Sequence, residues 1–514
     1  MVGVPGRSKA CVTCRRRRKG CDGRRPECTQ CITAGLACAG YARQTIFVNW
    51  TEGATPATYS RRDQPSDSRT GGLGPEDPEN SCQNGSRVWP RRHQQGQAMQ
   101  PLSHGLARTA CIDQFNGLFW HEYLPHGRTA STLANQHCGS EGFLLVAETM
   151  YAAHPAVEKV LVGLSMATVG RRTGDAALVQ AGIRAYSGTA RTLAGMIGSG
   201  SAATASDVAL ILVKGLNTFE IMFGEDHADA VAQGRKLISH MDGEAALLES
   251  RGPASLQSGA AHEMLVVGRQ YLIVNQFKTR KRSFLHSPEW QTVPWQLIPK
   301  NSRDRVVDIT LDLVGLFEDV DLLDAAARRG DPSHRSLRLD LVDTCWQLDE
   351  RLQRWHAEDA PVLDFFDRSG KLRDHWTADD YVQADLIFTY WTACLLLYEI
   401  MAPLLDTPTP FDDDEAAPQA PALPTRCDPV LYLRRLGRTL PILLQPSAGL
   451  IAIARGSYHL GVALYVLYTH PYTDRLELMD LYARLLTPSG DGAPSLAPFV
   501  KSLMAELVPG ARAV

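Results

Sequence analysis

Several things are missing from this 514-residue chain, and each absence narrows its chemistry. No uninterrupted apolar run reaches the roughly 18–20 residues that a bilayer span needs. The nearest approach, Tyr390–Leu405, is broken by Glu399 and Pro403, so it reads as a buried helix and no membrane partner is expected. The chain carries no Walker phosphate loop, no dinucleotide glycine fingerprint and no Gly-x-Ser-x-Gly elbow, which removes the common signatures of nucleotide and acyl-transfer enzymes. His121-Glu122 with His126 imitates a zinc-protease helix only on the surface, because the histidines are five apart with Pro125 between them and that helix needs them at i and i+4. No constellation of titratable residues meets the requirements of a catalytic site, so no enzyme activity is expected. Sustained period-two alternation is scarce, which argues against a sheet-based body. No apolar leader precedes Cys11, since Met1–Ala10 is polar and small. That speaks against an oxidising compartment and against reading the cysteines as disulfides.

What is present is concentrated at the N-terminus. Cys11, Cys14, Cys21, Cys28, Cys31 and Cys38 repeat a C-x2-C-x6-C unit twice, six residues apart. A thiolate zinc site takes four sulfurs in a tetrahedron. Six sulfurs overfill one such site and underfill two separate ones, so two ions fit only if two thiolates are shared. The pseudo-symmetric spacing suggests one shared cysteine per half without saying which. The halves differ in charge. Arg15, Arg16, Arg17, Arg18 and Lys19 fill five of the six positions between Cys14 and Cys21, whereas Ile32–Ala37 between Cys31 and Cys38 has no cation. Matched geometry with unmatched charge predicts that one helix meets phosphate while the other packs or props. Pro26 in the connecting loop helps the chain reverse.

Overall charge supports the division. Residues 1–45 hold ten Lys/Arg against two acids, while the chain as a whole has 53 and 56, leaving 43 and 54 and a net of −11 for the remainder. A near-neutral total thus hides a basic head on an acidic body. Each phosphate neutralised releases counterions, with a log–log salt slope of about −0.9 per contact, so four or five cations on one helix predict steep salt dependence.

Over residues 9–49 the sequence resembles the fungal Zn2Cys6 binuclear-cluster transcription factors. The six cysteine spacings carry the resemblance, with Cys14-Arg15-x-Arg17-Arg18, Cys21-Asp22-Gly23, Pro26, Gly40-Tyr41 and Ile46-Phe47-Val48-Asn49. The resemblance implies two Zn2+ ions with Cys11 and Cys28 bridging, Cys14 and Cys21 completing one site and Cys31 and Cys38 the other. It implies that Arg17 and Arg18 reach base edges, usually of a CGG triplet, where an arginine fork on guanine is worth roughly 1–3 kcal/mol. Arg15, Arg16 and Lys19 would then sit on phosphates. Gly20 departs from the pattern, since many members carry Lys or Arg there, and one contact is expected to be absent. Arg15–Lys19 also suits a nuclear-import signal.

Residues 51–107 change character: 31 of the 57 are Gly, Pro, Ser, Thr, Gln or Asn and only eight are large apolar residues or Cys. Such a segment cannot bury enough apolar surface to offset chain entropy and reads as a disordered tether, with Cys82 a free thiol. It shows no heptads for a coiled coil, so dimerisation is left open. Beyond it the periodicity is helical. Val208, Leu212, Leu216, Phe219 and Phe223 follow a Ser206-Asp207 start; Leu341, Cys345, Leu348, Leu352 and Trp355 share a face, as do Ile453, Leu460, Leu464 and Leu467. Helices packed in antiparallel pairs are expected. Cys111, Cys138, Cys345, Cys394 and Cys427 lack ligand spacing and read as reduced thiols. Phe411-Asp412-Asp413-Asp414-Glu415 reads as a solvated loop, with a small coactivator motif as the rival. Phe119-Trp120, His154-Pro155, Arg171–Asp175, Tyr186, His240–Gly243, Leu247-Leu248 and Arg251–Pro253 resemble the fungal transcription-factor regulatory domain, and each equally suits packing or a helix terminus.

The expected organisation is a small Zn2Cys6 cluster domain with two short helices at 9–40, a disordered linker at 41–107 and a large all-α regulatory domain at 108–514. The expected function is nuclear, sequence-specific regulation of RNA polymerase II transcription. Double-stranded DNA is the main partner, and coactivators or corepressors and a small-molecule effector are further candidates. By analogy the target is a secondary-metabolite gene cluster. The rivals are a zinc module that binds RNA or protein, and an enzyme in the C-terminal region with a DNA-targeting head.

Overall fold

The computed structural model describes residues 10–17, 19–24, 27–38, 104–124, 126, 142–200, 206–223, 230–406, 423–470, 472–486 and 500. The chain divides into two compact units, residues 1–97 and 98–514. Residues 41–103 of the expected tether lie outside the described residues, as do the Phe411–Glu415 stretch, Cys82 and Cys138; the tether's last four residues, 104–107, instead open the helix His104–Tyr123.

The first unit is built on two one-turn helices, α1 (Val12–Arg16) and α2 (Thr29–Thr33). Neither is long enough to be stable in isolation. Both close alike: Lys19 N donates to Cys14 O at 3.1 Å, and seventeen residues on, Leu36 N donates to Cys31 O at 2.9 Å. Such a bond back across six residues satisfies the orphan carbonyls of a helix end, and the left-handed residue that it favours is Gly35 in the second half, at φ 62°.

Among its described residues the second unit is helical, with one isolated β-bridge between Phe366 and Leu372. Its long helices are α3 (His104–Tyr123), α4 (Gly142–Met150), α5 (Pro155–Thr173), α6 (Ala176–Ser199), α7 (Asp207–Phe223), α8 (Ala230–Arg251), α9 (Gly259–Thr279), α10 (Ser302–Arg329), α11 (His334–Glu358), α12 (Ala378–Asp406), α13 (Pro429–Thr439), α14 (Ile451–Thr469) and α15 (Arg475–Ala483). Short helical segments fill several connections. One contiguous apolar core runs through them, from Phe119 to Val500.

The pair α5/α6 shows why neighbours pack antiparallel. Gly174 takes a left-handed φ of 68° and Asp175 caps α6 by accepting from Ala177 N and Leu178 N. The chain therefore reverses in two residues. The helices then approach too closely for side chains: a Cβ on Gly182 would lie 2.8 Å from Ala167 Cβ, and one on Gly163 2.8 Å from Ala185 Cβ. The Arg171–Asp175 string is thus a helix end and a cap, with Arg171 Nη2 also donating to Phe223 O at 3.2 Å at the C-terminus of α7.

Helix α7 is buried along its length from Ala209 to Phe223 and begins where Ser206-Asp207 predicted. Its lysine is paired inside: Lys214 Nζ lies 2.5 Å from Glu244 Oε1, over the Tyr271 ring at 4.3 Å, and Asn217 Nδ2 donates to Glu244 Oε2 at 3.1 Å. Helix α12 is the apolar stretch noted above. By length and composition it could cross a bilayer, yet 78% of its most apolar window is buried within the protein. Glu399 and Pro403 do not end it; it continues to Asp406. Its polar residues Asp385, Thr392 and Glu399 are seven apart, one face of a helix. They meet Arg303 (3.0 Å), His459 (2.9 Å from Thr392) and His470 (2.8 Å).

Candidate metal centre and nucleic-acid interface

The site begins with the chain geometry around the first C-x2-C. Cys11 precedes α1 and Cys14 lies within it, so both thiols face the same side of one turn; Cys28 and Cys31 do the same at α2. All four are fully buried, and Cys21 and Cys38 are half-buried. The six sulfurs form two groups, Cys11/Cys14/Cys21/Cys28 and Cys11/Cys28/Cys31/Cys38, each with its sulfurs within 4.8 Å of one another. Cys11 and Cys28 belong to both.

The separations identify the chemistry. Cys11–Cys28 and Cys14–Cys28 are 3.6 Å apart and Cys11–Cys31 is 3.7 Å. A tetrahedron with metal–sulfur bonds of ~2.3 Å has edges of about 3.8 Å, whereas a disulfide brings sulfurs to about 2.05 Å. All six cysteines are free thiols. Backbone N–H groups already point at sulfur: Cys14 N to Cys11 Sγ at 3.3 Å and Cys11 N to Cys21 Sγ at 3.4 Å. Without a cation these thiols stay protonated, for burial pushes the Cys14 thiol up to about 12 and raises Cys28 and Cys31 as well. A divalent ion inverts that logic by holding coordinating thiols deprotonated. An all-sulfur donor set at these separations fits zinc.

The basic run is less helical than expected. Helix α1 ends at Arg16 and Arg17 lies in the next turn, because the bond from Lys19 to Cys14 closes the helix so that Cys21 can return to the cluster. Arg16, Arg17 and Lys19 are exposed; the Arg15 side chain and Arg18 lie outside the described residues. The matching surface of the second half presents apolar groups, with Ile32 61% and Leu36 41% exposed. The unmatched charge of the two halves is therefore displayed on the surface.

Two contributors had no role assigned from the sequence. Asp22 accepts from Thr29 N at 3.2 Å and 3.3 Å through its two oxygens, fastening the connecting loop to the first turn of α2, and it lies 3.8 Å from Arg24 Nε. The Thr29 bond holds its carboxyl below the usual range. Thr13, 5% exposed, donates its hydroxyl to Ala37 O at 3.0 Å across the two halves. The only sequence signal was a capping-type residue directly after Cys21 and a hydroxyl inside the first C-x2-C.

The second unit offers no comparable centre among its described residues. Glu122 pairs with Arg172, and His126 Nε2 meets Trp376 O at 2.6 Å, so the protease-like string is structural. Cys345, Cys394 and Cys427 are separate buried thiols. Tyr186 donates to Glu220 at 2.5 Å and lies 3.2 Å from His240 Nε2, a half-buried polar cluster in which desolvation lowers His240.

No curated protein and no solved structure matches the chain. Residues 9–45 match the fungal Zn(2)-Cys(6) binuclear cluster domain, a domain of DNA-binding transcription regulators that are typically nuclear and non-enzymatic. Together with the cysteine cluster able to bind metal, that match indicates a zinc-binding, DNA-binding transcription factor of the fungal type.

Proposed function

We propose that the chain is a sequence-specific regulator of RNA polymerase II transcription that reads CGG-type triplets through residues 9–40. The observation that carries this reading is the juxtaposition of two four-sulfur groups sharing Cys11 and Cys28 with the exposed cations Arg16, Arg17 and Lys19. Two Zn2+ ions, one in each group, would keep the thiols ionised and supply the folding free energy of a head with almost no apolar core. Arg17 and Arg18 read base edges, where a planar fork can engage guanine O6 and N7. Arg15, Arg16 and Lys19 neutralise phosphate and set register. Residues 41–107 tether this head to a helical body, residues 108–514, that meets coactivators or corepressors and responds to a small-molecule effector. By the family resemblance the target is a secondary-metabolite gene cluster.

The test is selection of genomic fragments by the zinc-loaded full-length protein at fixed, near-physiological salt, read by sequencing. A recovered CGG-containing motif supports the reading, and single or paired triplets distinguish monomer from dimer. A folded, zinc-bound protein that recovers no motif refutes it in favour of an RNA- or protein-binding module.

A further inference from the structure

Thr13 sits between two cysteines of the first sulfur group, yet its side chain serves the second. Its hydroxyl donates to the carbonyl of Ala37 at 3.0 Å, and Ala37 directly precedes Cys38, a member of the other group. Its own carbonyl accepts from Arg17 N at 3.1 Å. One residue thus joins the second half of the cluster to the backbone from which the exposed Arg17 departs. The pseudo-symmetry of the cysteines does not repeat this link, because seventeen residues on from Thr13 stands Gln30, which is exposed.

Shared sulfurs alone leave a hinge, since bonds through two thiolates still permit the halves to rock about the line joining them. A hydrogen bond away from that line removes the freedom. A buried hydroxyl without a partner is costly, so the pair holds once formed. We propose that Thr13 is a positioning residue: by clasping Ala37 it fixes the angle between the two halves, and with it the direction in which Arg17 meets a base edge. This rests on the DNA-binding reading above.

The experiment compares full-length, zinc-loaded wild type with Thr13→Val and Thr13→Ser. It measures binding to a CGG duplex and to a scrambled duplex across salt, and the rate of zinc transfer to a chelator. Valine matches the shape and lacks the donor. A bidentate arginine–guanine pair discriminates by roughly fivefold or more, so Thr13→Val is expected to lower the ratio of CGG to scrambled affinity by about fivefold. The salt slope should stay unchanged, because the phosphate contacts remain. Zinc transfer should quicken, and Thr13→Ser should restore both properties. An unchanged ratio in Thr13→Val overturns the proposal. So does equal weakening on both duplexes with a flatter salt slope, which would mean general loss of the head. Wild type that binds both duplexes alike overturns the DNA-binding reading instead, and the zinc-transfer rates then report on the clasp by themselves.

Discussion

Cys28→Ala is the perturbation for which the geometry makes the sharpest demand. Cys28 belongs to both four-sulfur groups, as Cys11 does, whereas Cys14 belongs to one. Removing Cys28 leaves Cys11, Cys14 and Cys21 on one side and Cys11, Cys31 and Cys38 on the other, three sulfurs each. Removing Cys14 leaves the second group whole. A structural zinc site contributes about 10–16 kcal/mol of apparent binding energy at neutral pH, and the head has little else, since among its described residues the buried apolar cluster is the cysteines themselves. Loss of both sites therefore unfolds it, while loss of one leaves a partly ordered remnant. Native mass spectrometry of the full-length protein should count two zinc ions in the wild type, none in Cys28→Ala and one in Cys14→Ala. One ion retained by Cys28→Ala, or none by Cys14→Ala, refutes the shared-sulfur arrangement.

On a CGG duplex, Arg18→Ala should relax triplet preference, whereas Arg16→Ala should weaken specific and random duplexes alike and flatten the salt slope by about 0.9; identical profiles for the two variants would end that division of labour. Lys214→Met should destabilise the body by about 3–5 kcal/mol in urea unfolding, because it leaves Glu244 buried with a charge and no cation, and adding Glu244→Leu should recover most of the loss; an undiminished defect in the double variant would show that the pair is not the cause. His470 is raised above its ordinary value by the Glu399 carboxylate at 2.8 Å, so its contribution is fully present below the unfolded value of about 6.5 and fades as pH climbs through the raised one. His470→Gln should abolish that component of the fall in Tm with rising pH, and an identical slope in wild type and variant would exclude it.

How far the sequence could be read depended on whether a residue's partner was near it in the chain. The sulfur set was legible because metal geometry constrains spacing directly. Helix α7 was legible for the same local reason: Val208, Leu212, Leu216, Phe219 and Phe223 recur at helical spacing, and the Ser206 hydroxyl accepts from Ala209 N at 3.4 Å. The same helix hid Lys214 and Glu220, which look like solvent residues and are 1% and 2% exposed. Lys214 finds its carboxylate thirty residues further on, and nothing local announces it. Glu399 and Pro403 told rightly for a buried helix, but their partners were equally hidden. Each is unfavourable in an apolar helix taken alone, but Glu399 is met by His470 and by the Tyr472 hydroxyl. Pro403 stands so near the end of α12 that the bond it removes is among the last.

The two units therefore solve opposite problems with the same kind of residue. In the head, cations are placed outward, and the fold is held by sulfur because a segment of thirty residues has no room for both an apolar core and a basic surface. In the body, a large apolar core is available, and charges are placed inward in pairs that link one helix to another: Lys214 on α7 with Glu244 on α8, Arg269 on α9 with Asp308 on α10, and Arg303 on α10 with Asp385 on α12. Each such pair contributes little net stability against an apolar substitute. Their positions matter more than their energies, because a helix that slides by one turn separates the partners and leaves both charges buried. The cost of that slip grows with every pair it breaks. The body should accordingly tolerate Leu-to-Met changes in its core far better than the loss of any one member of these pairs.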